Sequence, residues 1–271
     1  MESPRTPRRI VSLQPSVTVI LSELGKLDLL AACTKYCVAV CPELKQRNIS
    51  IVADTWTVQA EQIRRIQPEL VIASVPYQER SVSEILKTGI PVLALSPKKL
   101  ADVYSDISLI SRVVDAREEG GTLVGRMQEE IANTRKRTAG LSHPQVFCEE
   151  WGKPLIASQP WVAELVEAAG GKFIGTPGAQ IDPATVREAR PEVLIAAWCG
   201  AGDRVPLEKI TASRGWQDLP AVKAGRVYCI RDEYLNTPAS TLIEGLRALA
   251  AAIHPEYFPQ AEGLRCMERL E

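Results

Sequence analysis

Short, unbroken apolar runs alternate along the chain with stretches in which apolar side chains return every three to four residues. The runs Ile10–Leu13, Leu29–Ala32, Leu70–Ala73 and Val92–Leu95 are strand-sized, and the segments near 16–24, 58–66 and 81–88 carry the helical period. Unbroken apolar strands are covered on both faces, so this alternation predicts parallel sheets flanked by helices. Between 99 and 139, Leu123, Met127 and Ile131 recur at four-residue spacing, while Arg126, Glu129, Glu130, Arg135 and Lys136 fall on the other side. That predicts an amphipathic helix from about Arg117 to Ala139, on the order of 30 Å long at about 1.5 Å per residue. Gly120, Gly121 and Gly125 weaken its start, and Gly140 marks its end. Leu242 to Ile253 reads as a final helix stopped at His254-Pro255.

The pattern also repeats. QIRRIQPELVIAS at 62–74 and TVREARPEVLIAA at 185–197 superpose without a gap, each a short helix halted before a proline and followed by a buried strand. Residues 9–25 and 145–171 correspond in the same way: a strand, a loop, then an apolar helix stopped at Gly25 or at Gly170-Gly171. The chain therefore reads as two related α/β lobes. The expected boundaries are an N-terminal lobe at 1–98, a connecting helix at 99–140 and a C-terminal lobe at 141–271.

Composition narrows the class. In 271 residues, 32 Lys and Arg stand against 33 Asp and Glu with no block of like charge, so no electrostatic footprint for nucleic acid is present. No window approaches the roughly 18 consecutive apolar residues of a membrane span. The basic start, Arg5 to Arg9, is followed by only four apolar residues, and the seven cysteines form an odd set. Both features predict a reducing, cytoplasmic location, or a periplasmic one if a signal peptide has been removed.

In open α/β sheets, ligands bind beyond the carboxyl ends of the strands. Aromatics make up only 5% of this chain, yet Tyr36, Tyr77, Trp151, Trp198 and Tyr234 all follow predicted strands, and Trp56 precedes the first repeat helix. Their recurrence points to a flat-walled cleft between the lobes for a planar or bulky organic ligand, with the capping of core edges as the competing reading. Cys33, Cys37 and Cys41 share a four-residue spacing that puts three thiols on one side of a helix or strand. Without the usual zinc or ferredoxin spacings they read as buried thiols, not as a metal site. His143 and His254 sit at segment boundaries and suggest no metal centre. No nucleophile elbow, phosphate loop or dinucleotide fingerprint occurs. Glu149, Glu150 and Asp232 are the carboxylates available for acid–base work. Asp182 and Pro183 read as the N-cap and first residue of a helix.

Taken together, R-I-V-S-L-x-P-S at 9–16, Thr55-Trp56 ahead of a helix containing Glu61, P-E-L-V-I-A at 68–73, the connecting helix, F-C-E-E-W at 147–151, A-G-G at 169–171 and P-E-V-L-I-A at 191–196 carry a resemblance over about 9–253. The chain resembles the cobalamin-binding subfamily of ABC-transporter substrate-binding proteins. The resemblance implies the class III fold, two Rossmann-like α/β lobes with parallel-rich sheets joined by one long rigid helix. It implies a monomer that binds cobalamin or a related corrinoid between the lobes without catalysis. Tyr36, Trp56 and Trp151 match the family's ligand-contacting aromatics, and Asp232 its polar contact, with Tyr77, Trp198 and Tyr234 completing the candidate set. For docking on an ABC permease, Glu61 fits the acidic position of the first lobe, while Ala184 stands at the second, leaving the pair incomplete. Cys199-Gly200-Ala201 replaces the Cys-Gly-Phe of many soluble relatives. Two alternatives stay open: an iron-siderophore or haem ligand, met by Tyr36, Tyr77, Tyr234, Arg204 or Arg231, and an enzyme acting on a cobalamin precursor or another bulky cofactor through Glu149, Glu150 or Asp232.

Overall fold

The computed structural model describes residues 6–75 and 79–268, so Tyr77, one of the predicted contacts, lies outside the described residues. The chain divides between Arg126 and Met127 into two compact units, each built on its own sheet.

In the first unit β1 (Ile10–Ser12), α1 (Pro15–Glu23), β2 (Leu30–Thr34), α2 (Lys35–Val40), β3 (Ser50–Val52), α3 (Ala60–Ile66), β4 (Leu70–Ser74), α4 (Glu79–Leu86), β5 (Val92–Leu95) and α5 (Leu100–Val113) follow in order. The sheet runs β3-β2-β1-β4-β5 and every pairing is parallel. Val11, Ala32, Val71 and Ala73 are buried in the sheet and pack with Ile63 of α3 and Ile85 of α4, as strands covered by helices require. The 22-residue helix α6 (Arg117–Thr138) contains the division between the units.

The second unit holds β6 (Gln145–Gly152), β7 (Leu155–Ala157), α7 (Pro160–Ala168), β8 (Lys172–Phe173), α8 (Pro183–Glu188), β9 (Val193–Ala196), α9 (Leu207–Ser213), α10 (Pro220–Lys223), β10 (Val227–Ile230), α11 (Asp232–Leu235), α12 (Leu242–Ile253) and β11 (Leu264–Cys266). Its sheet runs β11-β10-β9-β6-β7, with β8 also paired to β6. The central pairings are parallel, while β7 and β11 run antiparallel to their neighbours. Trp216, 1% exposed, anchors this core edge-on to Phe147, with ring centroids 6.1 Å apart.

The predicted repeat is visible in conformational detail. The order β2-β1-β4-β5 recurs as β8-β6-β9-β10, with Ile10 opposite Leu70 and Val146 opposite Val193. Proline disfavours a right-handed helical residue before it, and both repeat helices leave through a left-handed residue at that point. Gln67 has φ 51° before Pro68, and Arg190 has φ 50° before Pro191. The glutamate after each proline then ties its strand to the neighbour: Glu69 accepts from the Arg8 N–H and Glu192 from the Gln145 N–H.

Other elements depart from the expectation. The stretch 99–139 forms two helices, broken where Asp115 takes φ 53°, and α5 buries Leu100, Val103, Ile107 and Ile110. Helix α2 follows β2 directly because Thr34 caps it, its hydroxyl accepting from the Cys37 N–H at 3.3 Å. At six residues it is too short to show a helical period. Asp182 does cap α8, its carboxylate accepting from the Ala184 N–H at 2.7 Å with Pro183 behind it.

Candidate functional site

All five strands of the first unit run in one direction, so their carboxyl ends share one edge of the sheet. Tyr36 opens α2 beyond β2, 42% exposed, with the Lys35 ammonium 4.9 Å from its ring centroid. Trp56, 49% exposed, follows β3 on a turn built by Asp54. The Asp54 carboxylate accepts from the backbone N–H groups of Trp56 and Thr57, both at 3.1 Å, and from the Thr57 hydroxyl at 2.9 Å. The Gln14 amide reaches from the β1 loop to the Thr55 hydroxyl at 3.1 Å, which joins two strand ends. Trp56 is thus an exposed ring displayed on a hydrogen-bonded turn.

Behind Tyr36 the cysteines are buried thiols. Cys37 is packed against the Thr34 and Ser12 hydroxyls at 3.3 and 3.9 Å. Burial pushes the Cys37 thiol up, but hydrogen bonds from Cys33, Thr18 and Thr34 bring it down to about 6. Cys33 is pushed up by its hydrogen bond to Cys37 and by burial, and Cys41 is raised by burial to about 11. Among the described residues no group of three His, Cys, Asp or Glu side chains is arranged to hold a metal ion.

In the second unit, alternation along β6 sends neighbouring carboxylates to opposite faces of the sheet. Glu149, 2% exposed, accepts from Arg214 Nη1 at 2.6 Å and from the Trp198 indole N–H at 2.9 Å. Burial pushes its carboxyl up, while the guanidinium and the indole favour the charged form. Glu150 accepts from the Gln159 amide at 2.6 Å, and burial raises it to about 7. Trp151 lies 43% exposed at the end of β6, with its indole N–H fixed to the Lys153 carbonyl at 2.8 Å. The Trp198 ring lies so close to Gly152 that a Cβ there would stand 2.4 Å from Cζ2.

Two predicted contacts are engaged within the second unit. The Asp232 carboxylate accepts from the Gly200 and Gly202 N–H groups at 2.7 and 2.8 Å, closing the loop after β9. The Tyr234 ring packs on the backbone of Gly263, with the Arg231 guanidinium 5.7 Å from its centroid. Arg231 itself pairs with Glu233. As carboxylates for catalysis, Glu149 and Asp232 are thus committed to internal hydrogen bonds. Glu61, on the first turn of α3, is exposed beside Arg64 and Arg65 at 4.0 and 3.4 Å.

Beside Trp151 and Trp198 a groove of about 1050 Å³ opens within the second unit, bounded by the β6–β7 hairpin, the entry to α8 and α9. Ile181, Lys209 and Ser213 in its wall were not singled out from sequence, because no local pattern joins residues drawn from separate loops and a helix.

Two α/β units, each on a parallel-rich sheet, are the architecture of the class III periplasmic binding proteins. The chain belongs to the periplasmic binding protein family, whose model matches residues 10–234. It is 24% identical over 94% of its length to an uncharacterised ABC transporter substrate-binding lipoprotein, YvrC, of Bacillus subtilis, covering 83% of that protein. It is 21% identical over 92% of its length to a cobalamin-binding protein of Halobacterium salinarum, covering 70% of it. Among solved structures it shares the fold of a periplasmic haem-binding protein from Pseudomonas aeruginosa, with TM-score 0.86, 16% identity and 98% and 99% of the two chains covered. The periplasmic vitamin B12 binding protein BtuF of Vibrio cholerae superposes with TM-score 0.75 at 22% identity, covering 92% and 98%.

The expected cytoplasmic location is overturned by this family. Its relatives are a lipoprotein and periplasmic proteins, which points to a location outside the cytoplasmic membrane. Cysteine usage misled the expectation because buried thiols such as Cys33, Cys37, Cys148 and Cys229 serve as small apolar groups in either compartment. No helix among the described residues is long and apolar enough to cross a membrane.

Proposed function

We propose that this protein captures a corrinoid of the cobalamin class outside the cytoplasmic membrane and delivers it to an ABC permease. The observation that carries the reading is the exposure of Tyr36, Trp56 and Trp151 at strand ends, where their faces suit a large flat macrocycle. Relatives named for cobalamin and vitamin B12 binding support it. Binding rests on preorganised rings: Trp56 is held by the Asp54 turn and Trp151 by the Lys153 carbonyl, so little freedom is lost when the ligand arrives. Glu61, exposed on α3, is the residue assigned to permease docking. Haem is the second reading. The haem-binding structural neighbour favours it, and the exposed Tyr36 hydroxyl would serve as an axial ligand.

Calorimetric titration with cyanocobalamin, hydroxocobalamin and haemin tests the choice. One-to-one corrinoid binding weakened by both Trp56→Ala and Trp151→Ala is the expected result. Saturable binding of haemin alone, lost in Tyr36→Phe, would replace the corrinoid reading with the haem one.

A further inference from the structure

In the first unit two thiols converge on one residue of a neighbouring strand. Cys33, near the end of β2, pairs in register with Ser12 of β1, and such neighbours on parallel strands send their side chains to the same face of the sheet. Cys37, on the first turn of α2, packs on that same Ser12, its sulfur 3.9 Å from the hydroxyl and 4.0 Å from the carbonyl. The two sulfurs meet there, the Cys33 thiol donating a hydrogen bond to Cys37. Cys41 is engaged elsewhere, its thiol donating to the Glu43 carboxylate at 3.2 Å. The pair is also unequal. Burial pushes the Cys37 thiol up, but the hydrogen bonds to it bring it down to about 6, so at neutral pH it is the thiolate, the form that attacks a disulfide. Both cysteines are 0% exposed, yet a helix of only six residues opens locally at small cost, which admits a reagent.

We infer that Cys33 and Cys37 form a reversible disulfide across the first turn of α2, made by exchange with a thiol–disulfide oxidant outside the cytoplasmic membrane. The Cys37 thiolate attacks one sulfur of the oxidant's disulfide, and the other sulfur leaves as a thiolate. Cys33 then gives up its proton and attacks the Cys37 sulfur, expelling the second thiolate. Two cysteines are oxidised and one disulfide is reduced to two thiols, which take up the Cys33 proton and one from water. Hydrogen bonds that favour the Cys37 thiolate stabilise the reduced form, so the bond reopens in excess thiol. It spans Tyr36, so its closure acts on the segment that displays this ring. The inference rests on the location of the family and is independent of the ligand.

Lys35 lies between the two cysteines, so trypsin separates 27–35, which carries Cys33, from 36–45, which carries Cys37 and Cys41. The reduced full-length chain is incubated in glutathione buffers with a rising share of the disulfide form, once in its native state and once during refolding from urea. It is then alkylated, digested and analysed by mass spectrometry without reductant. The two peptides are expected to be joined in oxidising buffer and separate in reduced glutathione, with the loss of at least two of the seven alkylation sites on joining. Cys41→Ala should keep the linked pair and Cys37→Ala should abolish it. Absence of the link in wild-type protein in both the native and the refolding arm overturns the inference, with no variant required. A link lost in Cys41→Ala and kept in Cys37→Ala overturns it in favour of a Cys33–Cys41 bond, and a link that survives reduced glutathione overturns its reversibility.

Discussion

Arg214 Nη1 stands 2.6 Å from Glu149 Oε2, with the guanidinium 10% and the carboxylate 3% exposed. The pair does more than cancel two charges. The second carboxylate oxygen of Glu149 holds Trp198, while Arg214 also donates to the Gly152 carbonyl at 3.3 Å and lies 4.8 Å over the Trp216 ring. Hairpin, strand end and core are thus tied together at one point.

Removing one partner should therefore be severe. Arg214→Met leaves Glu149 buried without a counter-charge and is expected to cost about 3–5 kcal/mol in urea unfolding. The double variant Glu149→Gln, Arg214→Met should recover much of that loss, because no uncompensated charge remains. A cost below about 1 kcal/mol for Arg214→Met would show that water reaches the pair.

Glu150 gives a pH dependence of opposite sense to that of a salt-bridged acid. Burial raises its carboxyl from the ordinary 4.5 to about 7, so between those values the folded state binds more protons than the unfolded state. Stability then falls as pH rises through this window, by at most ~3 kcal/mol at about 1.4 kcal/mol per unit. Below pH 4.5 the group is protonated in both states and contributes no difference. Glu150→Gln removes the titration, so wild type and variant should converge at pH 4.5 and separate by pH 8, the variant being the more stable. Parallel stability curves over pH 4.5–8 would exclude the assignment.

The repeat predicts paired effects. Gln67 and Arg190 both take left-handed backbone angles that carry a penalty for a side chain with a Cβ. Gln67→Gly and Arg190→Gly should each raise unfolding free energy by up to ~1 kcal/mol, and the two should add, since the sites lie in separate units. Gly170 is the converse. At φ 83°, a Cβ would meet His254 Nε2 at 2.7 Å and Thr138 Cβ at 2.9 Å, so Gly170→Ala should destabilise by about 2 kcal/mol or more. Chemical denaturation of the three variants checks all of this in one series.

What the sequence disclosed follows from how local each feature is. The strands containing Val11, Val71 and Leu194 are buried runs, and the Pro68 and Pro191 breaks lie inside an ungapped repeat, so period and punctuation suffice to find them. The Asp182 cap is equally local. Edge strands such as Ser50–Val52, with Ser50 and Ile51 exposed, have too few apolar positions to register. The Glu149–Arg214 pair joins residues 65 apart in sequence, and the Asp232 clamp on Gly200 and Gly202 spans about thirty, beyond any periodicity. Tyr36, Trp56 and Trp151 were recognisable as aromatics next to strands. Their exposure, and the enclosure of Tyr234 against Gly263, depend on tertiary packing alone.

In the proposed corrinoid reading, Asp54 links this packing to binding. Its carboxylate organises the Trp56 turn through three hydrogen bonds and is only partly buried, so its loss should act on the display of Trp56 more than on the fold. Asp54→Ala removes all three acceptor contacts. The freed turn must then be reordered each time ligand binds, at about 1 kcal/mol, or roughly fivefold in affinity. Asp54→Asn keeps a carbonyl oxygen in the same position and should retain near wild-type affinity. Cyanocobalamin titration of the two variants, with melting temperatures taken alongside, reads the difference. Equal weakening by both would assign the effect to the charge of Asp54, and no weakening by either would remove the Trp56 turn from the binding surface.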